Sequence, residues 1–144
     1  MEDYYQNVVN KTMEKPKYIK NMMFAFLFGG GIALIGQALI ELYRIFGLSD
    51  INSQSLMITT LIFTASLLTG LGVFDKIGQY GKCGTSIPIT GFANSMTCAA
   101  IEGRSEGIIL GIGVSLLKLA GVVITFGVIS AFIVGTIKYL IWLV

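Results

Sequence analysis

Four long runs without a charged residue limit what this chain can fold into more than any other feature does. They cover 20 residues at 21–40, 24 at 51–74, 19 at 83–101 and 19 at 119–137. A helix of about 20 apolar residues crosses the roughly 30 Å hydrocarbon core of a bilayer. Only 12% of the 144 residues are charged, against about 25% in an average soluble domain. We therefore predict an all-α, polytopic integral membrane protein with about four hydrophobic spans.

The chain divides into a polar basic N-terminal tail, residues 1–20, and a membrane domain, residues 21–144. The tail contains four lysines and precedes the first uncharged run. That run is longer than the apolar part of a typical signal peptide, and it lacks a persuasive small-x-small cleavage site before Glu41. We expect the first run to be an uncleaved membrane span.

Polar side chains mark one face of that first span. Four residues spaced by three, four and four positions fall on the same side of a helix. They are Gly30, Ala33, Gln37 and Glu41. Gln37 and Glu41 are therefore candidates for lining a substrate path. The plainer alternative is that Gln37 bonds to a neighbouring helix and that Glu41, near the membrane edge, pairs with Arg44.

The third run, 83–101, contains features that a simple membrane helix does not tolerate. Pro88 lacks a backbone N–H, and Gly91, Asn94 and Ser95 bring flexibility and polarity to its middle. Irregular backbone at membrane depth is tolerated only where protein buries it or water reaches it. We expect a broken or re-entrant central segment, in which these three residues line a pore or substrate path. A half-helix that starts after Pro88 would leave backbone N–H groups exposed at its first turn.

Three charged residues, Glu102, Arg104 and Glu106, follow this central segment. The two glutamates are four residues apart and are expected to share a helix face, where acidic side chains favour cations. Together with Lys118, the cluster is a candidate for the mouth or gate of a path. The alternative is a solvated interfacial turn in which the glutamates pair with Arg104.

The last 38 residues, 107–144, are almost wholly apolar and are interrupted at Lys118 and Lys138. As one helix they would extend about 57 Å, which is far more than a bilayer core. We expect this helix to protrude, tilt strongly or break, with the break at 118–121. Beyond it, small residues recur at every fourth position, as on faces where membrane helices associate. These helix-packing candidates are Gly127, Ala131 and Gly135.

The distribution of Lys and Arg indicates an orientation. If all four runs cross, seven basic residues lie on one side and two on the other, which favours both termini in the cytoplasm. The seven are Lys11, Lys15, Lys17, Lys20, Lys76, Lys82 and Lys138, and the two are Arg44 and Arg104. The alternative makes 83–118 a re-entrant pair, which leaves three full spans and a C-terminus outside.

The composition speaks against several classes of function. The net charge is +2, and no basic patch interleaved with aromatic residues is present beyond the tail, so no nucleic acid is expected as a partner. The chain has no His and two Cys, at 83 and 98. We therefore expect no resident metal, no cofactor and no enzyme activity, because an activated nucleophile needs a base beside it.

Several segments carry a resemblance to a known family. The most specific are IPITGFANSM at 87–96 and AAIEGRSEG at 99–107. The others are KLAGVVITFGVI at 118–129, GGGIALIGQ at 29–37 and LLTGLGVFDKIGQ at 67–79. Together they resemble the SpoVA AC/AEB family of spore-former membrane proteins, from about Phe24 to the C-terminus. Lys82, Cys83 and Cys98 depart from the small residues expected at their positions.

The resemblance implies a function in the inner membrane of the spore or forespore. A member of this family is expected to help move dipicolinic acid, together with calcium, into the forespore during sporulation and out during germination. A tension-responsive channel is implied as well. Four spans rarely enclose a path alone, so further copies of the chain or other SpoVA-type subunits are the expected partners within the lipid bilayer. The alternative is a non-conducting assembly or anchoring subunit whose small-residue faces hold partner helices.

Overall fold

The computed structural model describes residues 17–143, and all regular secondary structure in that range is helical. The α-helices are α1 Tyr18–Ile45, α2 Asp50–Gly70, α3 Phe74–Gly81, α4 Cys83–Ser86, α5 Ile89–Gly103 and α6 Val114–Leu143. A 3₁₀ turn at Arg104–Glu106 and a π-helix at Ile108–Gly113 connect α5 to α6. The prediction of an all-α membrane protein is confirmed.

Three helical segments are long and apolar enough to cross a membrane, which is one fewer than the number of uncharged runs. They are Tyr18–Ile45, Asp50–Gly70 and Ile108–Leu143. The run at 83–101 does not form such a helix, because Pro88 adopts an extended conformation (φ −61°, ψ 166°) and separates α4 from α5. The 15 residues of α5 extend roughly 22 Å, short of a 30 Å core. The central segment is therefore broken, as predicted, and the helix lengths favour three spans.

The expected break at 118–121 is wrong, because α6 continues through Lys118 and Gly121 without interruption. A single glycine inside a helix costs only about 1 kcal/mol, and a lysine near a helix end can extend its ammonium to the interface. The chain breaks earlier, at Gly107, whose φ of 94° and ψ of 174° are accessible to glycine and strained for other residues. The π-helix follows this break directly and leads into α6.

The short helices pack beside α1 and α2. α5 lies along α2, α2 along α1, and α4 against α1, while the start of α6 packs on α5. The α4–α1 contact depends on Gly84, because a Cβ there would overlap the backbone of Ala25. A hydrogen bond of 2.7 Å between the hydroxyls of Tyr43 and Thr60 joins α1 to α2. These contacts place the central segment beside the first two spans, whereas residues 121–143 of α6 are exposed.

Candidate functional site

A polar cavity of about 330 Å³ lies where α3, α4 and α5 meet. Its lining consists of Phe74, Asp75, Gly78, Gln79, Thr85, Ser86, Gly91, Asn94 and Ser95. Two other cavities, of about 420 and 450 Å³, lie between α1, α2 and the central segment, and their linings are almost wholly apolar. In a chain with so few polar groups, the polar cavity is the candidate functional site.

Helix α3 contributes one wall of this cavity through its amphipathic pattern. Asp75 and Gln79 are four residues apart, so they lie on the same face of the helix. Phe74 is buried and Ile77 is half-buried, because these side chains face the apolar cavity beside α1 and α2. The alternation of apolar and polar residues thus leaves Asp75 and Gln79 exposed at the edge of the polar cavity.

The opposite wall comes from the break at Pro88 and from one face of α5. Gly91, Asn94 and Ser95 stand at positions i, i+3 and i+4 of this helix and therefore share a face. Gly91 is buried, and a Cβ there would overlap the backbone of Ser86. The extended Pro88 thus brings the end of α4 next to the first turn of α5, with Gly91 between them.

The hydroxyl groups in the lining donate their protons to the backbone. Thr85 Oγ1 donates to the carbonyl oxygen of Lys82 at 3.0 Å, and Ser86 Oγ donates to the same oxygen at 3.3 Å. Ser95 Oγ donates to the carbonyl oxygen of Gly91 at 3.1 Å. A hydroxyl has one proton and two lone pairs, so in this arrangement each of the three oxygens can still accept a hydrogen bond.

Asn94 also connects the cavity to α2. Thr69 Oγ1 lies 2.7 Å from the amide group of Asn94 and 2.7 Å from the carbonyl oxygen of Ala65. The Thr69 hydroxyl has a single proton, so it can donate to only one of these two oxygens. Asn94 Oδ1 also lies 3.9 Å from Cys98 Sγ, so the amide oxygen is directed at α2 and at its own helix.

Asp75 is the one ionisable side chain in the lining of this cavity, which contains no Lys and no Arg. Within residues 17–143, the ion pairs are Arg44–Glu41 and Arg44–Asp50, each with an N–O distance of 2.9 Å. Asp75 takes part in neither of them. The cavity therefore has a fixed negative charge that no ion pair among the described residues neutralises.

The structure separates the two groups of predicted path residues. Gly91, Asn94 and Ser95 line the polar cavity together, whereas Gln37 borders the apolar cavity of about 450 Å³ and Glu41 is exposed near the end of α1. Gln37 Nε2 donates to Glu41 Oε1 at 3.0 Å, on its own helix and not on a neighbouring one. The predicted pairing of Glu41 with Arg44 is confirmed, with Arg44 Nη1 donating to Glu41 Oε1 at 2.9 Å. Both side chains are thus engaged in a local network near the end of α1.

The predicted mouth residues are all exposed, and they do not line the polar cavity. Glu102 and Glu106 do not share a helix face, because α5 ends at Gly103 and the chain continues as a 3₁₀ turn. Among the described residues, Arg104 forms no ion pair with either glutamate. Lys118 is exposed in the second turn of α6. Their role as a mouth or gate stays a prediction.

The small-residue face on α6 has no partner within the described part of the chain. Gly127, Ala131 and Gly135 are exposed, and a Cβ built on either glycine would meet nothing within 4 Å. A role in helix packing would therefore need another molecule, and it stays a prediction.

Sequence reasoning missed four polar residues of the cavity: Asp75, Gln79, Thr85 and Ser86. The first two fall in a segment that reads as a polar connection between apolar runs. The sequence pattern that could have identified Asp75 and Gln79 is the short amphipathic pattern of α3, in which Phe74 and Ile77 alternate with polar residues. No local pattern shows that α3 and α5 border the same cavity, because that arrangement depends on how the central segment packs.

Comparison with known proteins gives two matches. Residues 21–137 match the model of a family described as SpoVAC/SpoVAEB sporulation membrane protein. The chain is also 44% identical over 140 residues to Stage V sporulation protein AC of Bacillus subtilis (strain 168), covering 96% of this chain and 93% of that protein. No solved structure gives a significant match.

Proposed function

Because the chain belongs to the SpoVAC/SpoVAEB sporulation membrane protein family, we propose that it is a channel or transport subunit for dipicolinic acid, accompanied by calcium. The proposal places it in the inner membrane of the spore or forespore, where it serves both spore formation and germination. It acts there without enzymatic chemistry. Its gating stimulus is membrane tension.

The observation that carries this proposal is the polar cavity in the broken central segment. An uncharged run of 19 residues that were needed only for anchoring would form one continuous helix. Here the run is divided at Pro88, and the half-buried Asn94 and the exposed Ser95 border a polar cavity. Non-helical backbone at membrane depth is tolerated where it lines a water-filled space. This arrangement supports a path for a polar solute.

The start of α5 supports a cargo with carboxylate groups. A helix N-terminus has a partial positive charge, and transporters direct such half-helix ends at anionic substrates. Helix α5 begins at Ile89, next to the break, and Gly91 in its first turn lines the cavity. The exposed Glu102 and Glu106 would lie at the mouth of the path, where acidic side chains favour the accompanying cation.

A single copy of the chain does not enclose a path. Three spanning helices are too few to surround a channel, and most of α6 is exposed in the described structure. The proposal therefore includes assembly with further copies or with other SpoVA-type subunits. Gly127, Ala131 and Gly135 would form the contact face.

The second candidate is a non-conducting subunit that assembles or anchors a membrane complex. The exposed small-residue face on α6 favours it, because such a face serves helix association whether or not a pore is present. On this alternative, the polar cavity would be a gap between packed helices and would conduct nothing.

Reconstitution of the purified protein in liposomes separates the two candidates. A channel subunit is expected to give currents that increase with applied membrane tension and to release trapped dipicolinate. Asn94→Leu keeps the approximate volume and removes the amide, so it is expected to reduce flux while membrane insertion stays near normal. If membranes that contain correctly inserted protein, alone and with partner subunits, give no current and release no dipicolinate, the assembly role is favoured.

A further inference from the structure

An apolar cavity of about 420 Å³ lies between α1, α2 and the central segment. We propose that this cavity binds one acyl chain of an anionic phospholipid, whose headgroup lies beside Lys20 at the start of α1. It is a different cavity from the polar one between α3, α4 and α5. The lipid site does not depend on whether the protein conducts.

The cavity has a buried floor and an exposed rim. Ala65 and Phe74 are buried in its floor, whereas Leu27 and Ile35 at its rim are exposed. Helices α1 and α2 contain the first two uncharged runs and are long enough to cross a membrane, so this rim faces hydrocarbon. A molecule can therefore enter the cavity sideways from the bilayer.

Water does not suit this cavity. The volume equals that of about 14 liquid water molecules at roughly 30 Å³ each. The polar side chains of the lining are Thr64, Thr85 and Thr90. The first two donate to the carbonyl oxygens of Thr60 and Lys82, and Thr90 Oγ1 has no partner among the described residues. A buried water makes about three hydrogen bonds, so three hydroxyls cannot hold this many molecules. The occupant is therefore mainly apolar.

The dimensions of the cavity favour a single chain over a helix. Its lining on α1 extends from Leu27 to Ile35, which is about 12 Å along the helix axis. Over that length, the volume corresponds to a cross-section of about 35 Å² and a width of about 7 Å. A helix with its side chains is about 10–12 Å across, so a helix from a second copy does not fit. One extended hydrocarbon chain fits, because non-bonded carbons pack about 3.5–4.0 Å apart.

The charge beside the cavity favours an anionic headgroup. Four residues of α1, spaced by four, three and four positions, share the face that lines the cavity: Lys20, Phe24, Leu27 and Gly31. Lys20 Nζ lies 5.8 Å from the centre of the Phe24 ring, a cation–π distance that keeps the ammonium group on this face. Lys20 is about 10 Å from Leu27 along the helix axis, so a lipid whose chain enters the cavity has its headgroup near this lysine.

The sequence adds further positive charge at this end of α1. Three more lysines precede Lys20, at positions 11, 15 and 17. Lysine clusters next to a membrane helix attract anionic lipids. A simpler explanation is that Lys20 only extends to the membrane surface and that lipid touches the cavity as it touches any apolar face. The two explanations differ in a measurable way, because a bound lipid saturates its site and bulk lipid does not.

The experiment uses the full chain in phosphatidylcholine vesicles that contain phosphatidylglycerol with a photoactivatable diazirine in one acyl chain. Mass spectrometry locates the crosslinks. We expect them to concentrate in 27–35 of α1 and 61–68 of α2, and to be displaced by unlabelled phosphatidylglycerol more effectively than by added phosphatidylcholine. The exposed residues 121–143 of α6 provide the internal control, where labelling should be weak and should not saturate.

Two pairs of variants test the chain and the headgroup separately. Gly31→Leu fills the cavity, because a Cβ at this lining position meets nothing within 4 Å. Its matched control is Gly30→Leu, which has the same free space and lies outside the lining, about 100° around the helix. Gly31→Leu should lose most of the cavity crosslinks, and Gly30→Leu should retain them. Lys20→Gln should lose the preference for phosphatidylglycerol, whereas Lys138→Gln, at the far end of α6, should keep it.

The site is overturned if the cavity crosslinks of the wild type do not saturate, or if the two leucine variants are labelled alike. Equal displacement by the two unlabelled lipids also overturns it, because the headgroup is then not recognised. The competition on the wild type needs no variant, so it decides the question even if Gly31→Leu does not fold. Failure of the lipid site leaves the channel proposal standing, and saturable labelling in membranes that carry no current contradicts the channel alone.

Discussion

Gly103, the last residue of α5, lies with its backbone against Gly111 in the π-helix. Both residues are buried, and a Cβ added to Gly103 would lie 2.6 Å from the carbonyl oxygen of Gly111. A Cβ added to Gly111 would overlap the carbonyl oxygen of Gly103. The contact fixes how the third spanning segment leaves the central segment, because only backbone without side chains can approach so closely.

Gly111→Ala is expected to destabilise the protein by about 1–3 kcal/mol, since the added methyl group forces the two backbones apart. The matched control is Gly121→Ala in α6, where a Cβ meets nothing within 4 Å. The control should be neutral or stabilising by up to about 1 kcal/mol, because alanine is the better helix former. Thermal unfolding in detergent measures both variants, and equal unfolding temperatures would contradict the close contact.

Lys82→Gly is expected to stabilise the protein by about 1 kcal/mol. Lys82 joins α3 to α4 with φ 50° and ψ −133°, a conformation that costs about 1–3 kcal/mol for a residue with a Cβ and little for glycine. Its carbonyl oxygen, which accepts from Thr85 and Ser86, remains in the variant. The control Lys76→Gly lies inside α3 and should destabilise by about 0.5–1 kcal/mol. A loss of stability in Lys82→Gly would show that the strained conformation is absent.

The two ends of the chain are expected on opposite sides of the membrane, with the N-terminus in the cytoplasm. Three spanning segments require this, in contrast to the two cytoplasmic termini expected from four spans. The count of basic residues does not discriminate between three and four spans. With three spans, Arg104 moves to the cytoplasmic side and Lys138 to the outside, so the ratio of cytoplasmic to outside basic residues stays seven to two.

Cysteine labelling from outside measures this topology in a background with Cys83→Ser and Cys98→Ser. A thiol placed at Val144 should react, and one placed at Glu2 should be protected until the membrane is permeabilised. Protection at both positions would restore the arrangement with four spans.

Asn94→Leu and Thr69→Val are expected to be coupled in stability and to differ in conduction. Each removes one partner of the 2.7 Å contact between α5 and α2, so a double-mutant cycle should give a coupling of about 1 kcal/mol. Only Asn94 lines the polar cavity. Flux through reconstituted protein should therefore decrease in Asn94→Leu and remain near the wild-type value in Thr69→Val. An equal decrease in both variants would indicate that Asn94 acts through packing.

Ala131→Leu is expected to reduce the yield of the assembled complex strongly, while Ala131→Gly is expected to have a mild effect. Close approach of two membrane helices needs small side chains, and Leu at this position would separate them. Ser130→Leu adds similar bulk about 100° around the same helix and is the matched control. Chemical crosslinking in membranes measures the yield. If Ala131→Leu assembled as well as Ser130→Leu, the contact face would lie elsewhere.

Features that depend on residues close together in the chain were determined by the sequence alone. The apolar runs require a membrane fold, because no soluble packing buries that much hydrocarbon. Pro88 predicts the break before α5, since it cannot donate a backbone hydrogen bond. The spacing of Glu41 and Arg44 predicts their ion pair, which depends only on helix geometry. Family membership follows from contiguous segments such as 87–96.

Features that depend on contacts between distant segments were decided only by the tertiary structure. Hydropathy alone counts 83–101 as a span, but the packing of α4 on α1 leaves α5 too short to cross. The last break fell at Gly107 and not at 118–121, because the close approach of Gly103 and Gly111 requires the chain to turn there. Asp75 and Asn94 border one cavity because α3 packs on α4 while α5 packs on α2. Periodicity describes which face a residue occupies, but only three-dimensional packing determines what that face meets.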